Sequence, residues 1–185
     1  MIAAEKLADW VGVKHSGQLI RRTKKPYVDH LIAVAEMAKP AVAFGYEIGL
    51  CHDLLEDTEV SEEELRRALI SFDYTIIDAD LITTCVKELT DVFTAAAYPD
   101  WSKPERKARE AERLVSISPT AQTVKYCDLT DNIDWVLKFD QKHAKKYLMK
   151  KKLLIGVMDK GDEGLRQRLM NVINKALDSI QKTLI

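Results

Sequence analysis

The residues most able to do chemistry in this chain are His52 and Asp53, adjacent residues that directly follow the apolar run 48–51. Burying such a pair in a core helix costs free energy unless something such as a cation compensates it. Imidazole nitrogens and carboxylate oxygens are both common metal ligands. The pair therefore predicts a metal site. Neighbouring side chains on a regular helix diverge by about 100°, so other helices must supply the remaining ligands.

His30 and Asp128 are the candidates for those remaining ligands. His30 lies in a segment that predicts a helix with an apolar face, and Asp128 interrupts an otherwise core-like stripe at 124–133. Two imidazoles and two carboxylates suit Mn²⁺, Fe²⁺ or Zn²⁺, with positions left open for water and a phosphate oxygen. Taken singly, His30 could be a hydrogen-bonded histidine at a helix edge, and Asp128 could simply pair with Lys125.

Helices must position these residues, because apolar residues recur at three- and four-residue spacing nearly throughout and hairpin turn signals are missing. The sequence predicts an all-α fold, a single-domain bundle of about eight or nine helices spanning 1–185. Pro26, Pro40, Pro104 and Pro119 fall at predicted starts or breaks, and Ser61 begins a predicted capping box. The predicted helices span 2–14, 27–38, 41–56, 62–71, 75–90, 104–116, 120–138, 141–157 and 162–183.

Composition indicates an ordinary globular protein. Its 28 basic and 29 acidic residues give no bias towards nucleic acid or a membrane surface. No signal sequence is apparent, and no stretch approaches the roughly 20 apolar residues of a membrane span, so we predict a cytoplasmic protein.

Three cysteines in apolar patterns predict reduced, buried thiols. The lysines at 145–146 and 150–152 predict a solvated helix face.

The order of His30, His52-Asp53 and Asp128 on successive helices resembles the ligand order of the HD phosphohydrolase superfamily. A narrower resemblance is to the HD hydrolase domain of RelA/SpoT homologues and the free-standing small alarmone hydrolases. It spans about residues 10–136, which leaves the helices within 141–185 to complete the fold or to form an interface. The segments that carry it are 15–18, Arg21-Arg22, 26–30, 51–58, 88–91, 105–107, 118–128 and Asn132.

The resemblance implies a Mn²⁺-dependent pyrophosphohydrolase of the stringent response that removes the 3′-diphosphate of ppGpp or pppGpp, giving GDP or GTP and pyrophosphate. His30, His52, Asp53 and Asp128 would bind the metal. Glu56 and Asp57 would position or deprotonate the attacking water, although both could instead form a solvated helix end. The implied substrate contacts are Arg21 or Arg22, Lys125, Asn132, Arg106 and Lys107.

Departures from the family's pattern bear on the substrate more than on the metal. Lys24-Lys25 replaces a glycine segment, Leu31 replaces a proline, and the residues at 129–131 differ from the usual lysine, apolar residue and aromatic. These changes keep two alternatives open: an HD phosphohydrolase acting on another nucleotide or phosphorylated cofactor, and a non-catalytic HD module that senses nucleotides. A small-molecule nucleotide is the expected partner, neither nucleic acid nor membrane is expected, and the chain could form a homo-oligomer.

Overall fold

A computed structural model describes residues 2–182 and is helical over most of that range. The described residues contain no strand, only an isolated antiparallel bridge between Leu19 and Pro26, so the predicted all-α class is confirmed. Ten helical segments lie within them: α1 (Ala3–Lys14), α2 (Val28–Ala38), α3 (Gly45–Cys51), α4 (Leu54–Asp57), α5 (Glu62–Ser71), α6 (Ile76–Leu89), α7 (Lys103–Ser116), α8 (Pro119–Phe139), α9 (Gln141–Val157) and α10 (Glu163–Lys182). Residue 183, the predicted end of the last helix, lies outside the described residues.

Hydroxyl side chains define the starts of four helices. The hydroxyl oxygens of Ser61, Thr75, Ser102 and Ser118 each accept a hydrogen bond from a backbone amide of the first turn, which satisfies a donor that the helix itself leaves unpaired. The capping box predicted at Ser61 is half formed, because the Glu64 carboxylate bonds Lys14 at 2.7 Å instead. A complete box occurs at the start of α7, where sequence reasoning missed it.

The single helix predicted over 41–56 is wrong. Phe44 has a left-handed φ of 55°, so α3 begins only at Gly45. A second interruption follows at Asp53, whose φ of −102° and ψ of 2° separate α3 from α4. This break is the structural reason that His52 and Asp53, adjacent in sequence, direct their side chains to one place. It also raises the number of segments above the eight or nine predicted.

The centre of the fold is formed by α2, α3 and α8, which pack on one another and carry the predicted metal ligands. One continuous cluster of buried apolar residues extends from Leu7 to Ile173. Close approach of α2 and α3 depends on Gly49, since a Cβ there would lie 2.6 Å from the Cα of Ala35. Such a distance leaves no room for a side chain.

The C-terminal helices α9 and α10 pack on α8 and on each other. Leu148, Leu169 and Ile173 are buried there, so these helices contribute to the core, whereas Leu153 stays exposed. The three cysteines are buried and unbridged, as predicted. Within 2–182 no helix has both the length and the apolar character needed to cross a membrane.

Replacing Gly49 by Ala should push α3 away from α2. We expect the variant to lose about 1–3 kcal/mol of unfolding free energy, a typical cost of overpacking, and to bind metal less tightly, because the two helices carry His30 and His52. Thermal melts and a metal titration check both effects. Gly12→Ala is the control, since nothing lies within 4 Å of its added Cβ. Equal behaviour of the two variants would contradict the close-packing account.

Candidate metal centre

The four predicted metal ligands converge on one buried point. The imidazole Nε2 of His52 lies 3.0 Å from Oδ2 of Asp53 and 3.7 Å from Oδ1 of Asp128. The Nε2 of His30 lies 3.8 Å from that Asp53 oxygen and 3.5 Å from that Asp128 oxygen. Ligand atoms of His30, His52 and Asp53 all lie within 4.8 Å of one another. Helix α2, the break between α3 and α4, and helix α8 thus bring together residues 98 positions apart in sequence.

Hydrogen bonds to the second ring nitrogen orient both imidazoles. The Nδ1 of His52 lies 2.7 Å from the carbonyl oxygen of Gly49, and the Nδ1 of His30 lies 2.6 Å from Oδ2 of Asp131. An N–H donated to such an acceptor fixes the tautomer and leaves Nε2 as a free lone pair. Each imidazole therefore presents the nitrogen that a metal would use.

The charges of the cluster favour a cation. Burial alone would lower the pKa of His30, but its contacts with Asp128 and Asp131 outweigh burial and raise that pKa to about 9. Burial likewise opposes protonation of His52, yet the carboxylates of Asp53 and Asp128 raise its pKa to about 10. The site thus holds positive charge strongly, and a divalent cation can supply that charge in place of the imidazole protons.

One atom tests whether the residues fit a metal. The Nε2 of His52 is buried and makes no hydrogen bond among the described residues, an arrangement that is costly unless a partner is supplied. The ring belongs to a residue only 1% exposed, and the nitrogen faces two carboxylate oxygens. Donors spaced about 3–4 Å apart suit neighbouring ligands of one ion bound at about 2.1 Å. The donor set therefore fits a divalent cation.

Neighbouring side chains hold the two carboxylates in place. Lys125 donates to Oδ2 of Asp128 at 2.7 Å, and the side-chain amide of Asn132 donates to Oδ1 of the same residue. The hydroxyl of Tyr27 donates to Oδ2 of Asp53 at 2.5 Å. Burial opposes ionisation of Asp128, but Lys125 and the imidazoles hold its pKa well below the usual range. Both acids are therefore ionised and oriented.

The predicted acid pair, Glu56 and Asp57, lies on α4 and lines a cavity of about 280 Å³ together with Asp53 and Asp128. Burial and the charge of Asp91 raise the pKa of Glu56. Burial and the charge of Asp53 raise the pKa of Asp57. Gln18 anchors the segment by donating to the Asp57 carbonyl at 2.7 Å. Carboxylates with raised pKa values beside a cation site are suited to proton transfer.

A second cavity, of about 600 Å³, opens on the other side of His30. Its walls combine cations and aromatic rings, among them Arg21, Lys24, Trp135 and Phe139. Cationic and aromatic surfaces together suit a phosphorylated compound that carries a flat ring. Asn132 lines both cavities, so they meet beside the candidate metal centre.

The structure separates the predicted basic contacts into two groups. Arg21, Lys125 and Lys107 line the two cavities. Arg22 instead donates to the Phe139 carbonyl, with its guanidinium above the Trp135 ring, in a turn where its φ is 62°.

Arg106 is likewise used within the protein, because its guanidinium donates to the backbone carbonyls of Tyr98 and Trp101. Neither Arg22 nor Arg106 lines the two cavities. Their roles in binding substrate therefore stay predictions.

Three residues of the site were not identified from the sequence. Tyr27 and Asp131 orient Asp53 and His30, and Lys151 lines the smaller cavity. The spacing of Asp131 three residues after Asp128, one helical turn, was a usable signal. Lys151 departs from the predicted solvated lysine face, whereas Lys150 and Lys152 beside it are exposed. Periodicity within α9 could not show which lysine faces α8.

We expect Asp131→Asn to weaken metal binding about 10- to 100-fold, the usual effect of removing a carboxylate that orients a ligating imidazole. Competitive titration with a chelating metal indicator measures this change. Asp134→Asn is the matched control, because Asp134 is an exposed acid on the same helix. Unchanged affinity in Asp131→Asn would show that this hydrogen bond does not support the site.

Comparison with known proteins gives a match at the level of structure. No family model matches the chain, and no curated protein matches it significantly in sequence. A solved structure, described as a metazoan orthologue of SpoT that hydrolyses ppGpp and plays a role in starvation responses, superposes with a TM-score of 0.76. The two share 21% identity over 96% of this chain and 97% of that chain. The likeness therefore extends over α9 and α10, and it shows that this chain shares the all-helical fold of that protein.

Proposed function

We propose that this protein is a metal-dependent phosphohydrolase that uses Mn²⁺ to remove the 3′-diphosphate of ppGpp or pppGpp. The observation that carries the proposal is the buried, unbonded Nε2 of His52 facing Asp53 and Asp128, with His30 completing the donor set. Four side chains that can bind a metal, one of them with an unbonded nitrogen, lie beside two acids and two cavities lined by cations. This arrangement suits hydrolysis of a phosphate ester. In this role the protein would act in the cytoplasm, in the stringent response.

The two cavities suggest how such a substrate lies. The larger cavity, with Arg21, Trp135 and Phe139, would receive the guanosine and its 5′-diphosphate. The smaller cavity, with Lys125 and Lys107, would receive the 3′-diphosphate. The ribose would then lie beside Asn132, where the two cavities meet. Of the two arginines, Arg21 would contact substrate, because Arg22 is bonded to the end of α8.

The reaction needs a water molecule, a proton acceptor and stabilisation of developing charge. A divalent cation, when bound, lowers the pKa of water and polarises phosphate oxygens. The water oxygen bonds to the phosphorus next to the ribose, and the bond from that phosphorus to the 3′ oxygen breaks. Glu56 and Asp57 orient the water and accept its proton, and the 3′ oxygen leaves as a hydroxyl after gaining a proton. Lys125 offsets negative charge on the transferred diphosphate.

Two further observations support this substrate class. The fold is that of the metazoan SpoT orthologue described as hydrolysing ppGpp. Among the residues that differ from the resembling family, Lys24, Lys25 and Asp131 line the larger cavity. None of them is a predicted metal ligand, although Asp131 bonds His30 at 2.6 Å. The same departures favour the runner-up, hydrolysis of another nucleotide or phosphorylated cofactor by the same centre.

Purified protein loaded with Mn²⁺ should release pyrophosphate from ppGpp and pppGpp but not from ordinary nucleotides. The assay follows pyrophosphate and phosphate over a panel that includes GTP, ATP and nucleotide cofactors. The control variant, His52→Ala with Asp53→Ala, should lose both bound metal and activity, because it lacks two of the four ligands.

Each outcome of this assay has a definite meaning. Release from another compound with the alarmones untouched would move the function to the runner-up. Metal content unchanged in the double variant would overturn both enzyme proposals, since both depend on this centre.

A further inference from the structure

The smaller cavity contains three lysines, and two of them have carboxylate partners. Lys125 bonds Asp128 at 2.7 Å, and Lys107 bonds Asp91 at 2.9 Å. These pairs hold each ammonium in a fixed place at the cavity wall and already satisfy much of its charge. Neither lysine is therefore a fully available cation.

Lys151 is the third lysine, and its situation differs. It projects from α9 into the same cavity, beside Leu154, and is partly buried. Within residues 2–182 its ammonium has no hydrogen-bond or ion-pair partner, only the ring of Tyr147 at 5.4 Å. Burial and the charges of Lys125 and Lys107 lower the pKa of Lys151 to about 8. An anion in the cavity would reverse that effect.

Three of the carboxylates that line the cavity, those of Asp128, Asp91 and Glu110, are already bonded to other groups. Asp128 and Asp91 bond the other two lysines. Glu110 bonds Arg113 and accepts from the backbone amides of the loop before α7. Keeping an unpaired ammonium in such a place costs free energy. Its most direct use is to bind an anionic group that enters from outside.

We propose that Lys151 binds the distal phosphate of the diphosphate group, so that the site prefers a 3′-diphosphate to a 3′-monophosphate. This inference rests on the proposed function, because the scissile phosphate is taken to lie at the metal centre. The next phosphate then extends into the cavity that Lys151 closes on the α9 side. A monophosphate has no second group to reach it. Lys151 is thus a specificity-determining residue.

Calorimetric titration of the Mn²⁺-loaded protein with inorganic pyrophosphate and with orthophosphate tests the assignment without turnover. Lys151→Met should weaken pyrophosphate binding about tenfold or more, because it removes a hydrogen bond between charged groups. Orthophosphate binding should change much less. Metal content is measured before and after each titration. Lys150→Met, an exposed neighbour on the same helix, should bind both anions as the wild type does.

Thermal stability provides an independent readout. Lys151→Met and Lys151→Gln should melt at the wild-type temperature or above, because each removes a cation that lacks a partner. A lysine with a purely structural role would give the opposite result, a lower melting temperature with anion binding intact. That pattern would overturn the proposal.

Two anion-binding results would also overturn it: wild-type pyrophosphate affinity in Lys151→Met, or equal losses for pyrophosphate and orthophosphate. The substrate assay separates this inference from the proposed function. Alarmones left intact by the wild-type enzyme would refute the alarmone activity. A pyrophosphate affinity that still depends on Lys151 would then assign the same subsite to another diphosphate substrate.

Discussion

Two carboxylates and two imidazoles converge in the interior of this protein, and the interaction among their charges is the constraint on which the site depends. Burial opposes ionisation of Asp53 and Asp128, but the charge of His52 lowers the pKa of Asp53 and the charge of Lys125 lowers that of Asp128. These carboxylates in turn raise the pKa values of the histidines. A divalent cation bound between the carboxylates would replace the protons on the imidazole Nε2 atoms. No buried N–H group would then be left without an acceptor.

Backbone features, more than side-chain identity, make that convergence possible. Gly49 lets α3 approach α2 to a distance that no other residue allows. The chain then breaks at Asp53, where the Nε2 of His52 and Oδ2 of Asp53 lie 3.0 Å apart. The short helix α4 that follows carries Glu56 and Asp57 to the same cavity. The interruption thus lies next to both the predicted metal ligands and the predicted acid pair.

Much of this arrangement could be predicted from the sequence, for identifiable reasons. Helical periodicity and proline positions located most helices, and the four metal ligands were recognisable by type and order. The break within 41–56 was not, because residues 48–56 are compatible with continuous helix and only tertiary packing selects the interruption. Arg22 and Arg106 bond backbone carbonyls, which the sequence did not predict, and Lys151 was missed for a related reason. Composition reveals that a side chain is basic, but only packing decides whether its charge meets a backbone carbonyl, solvent or a cavity.

The proposed chemistry depends on one ion bound between α2, α3 and α8. Anomalous diffraction from crystals grown with Mn²⁺, with data collected on both sides of the manganese absorption edge, locates such an ion directly. We predict one strong peak bound by Nε2 of His30 and of His52 and by carboxylate oxygens of Asp53 and Asp128. Crystals that show no peak there, or manganese held only by other residues, would contradict the central claim.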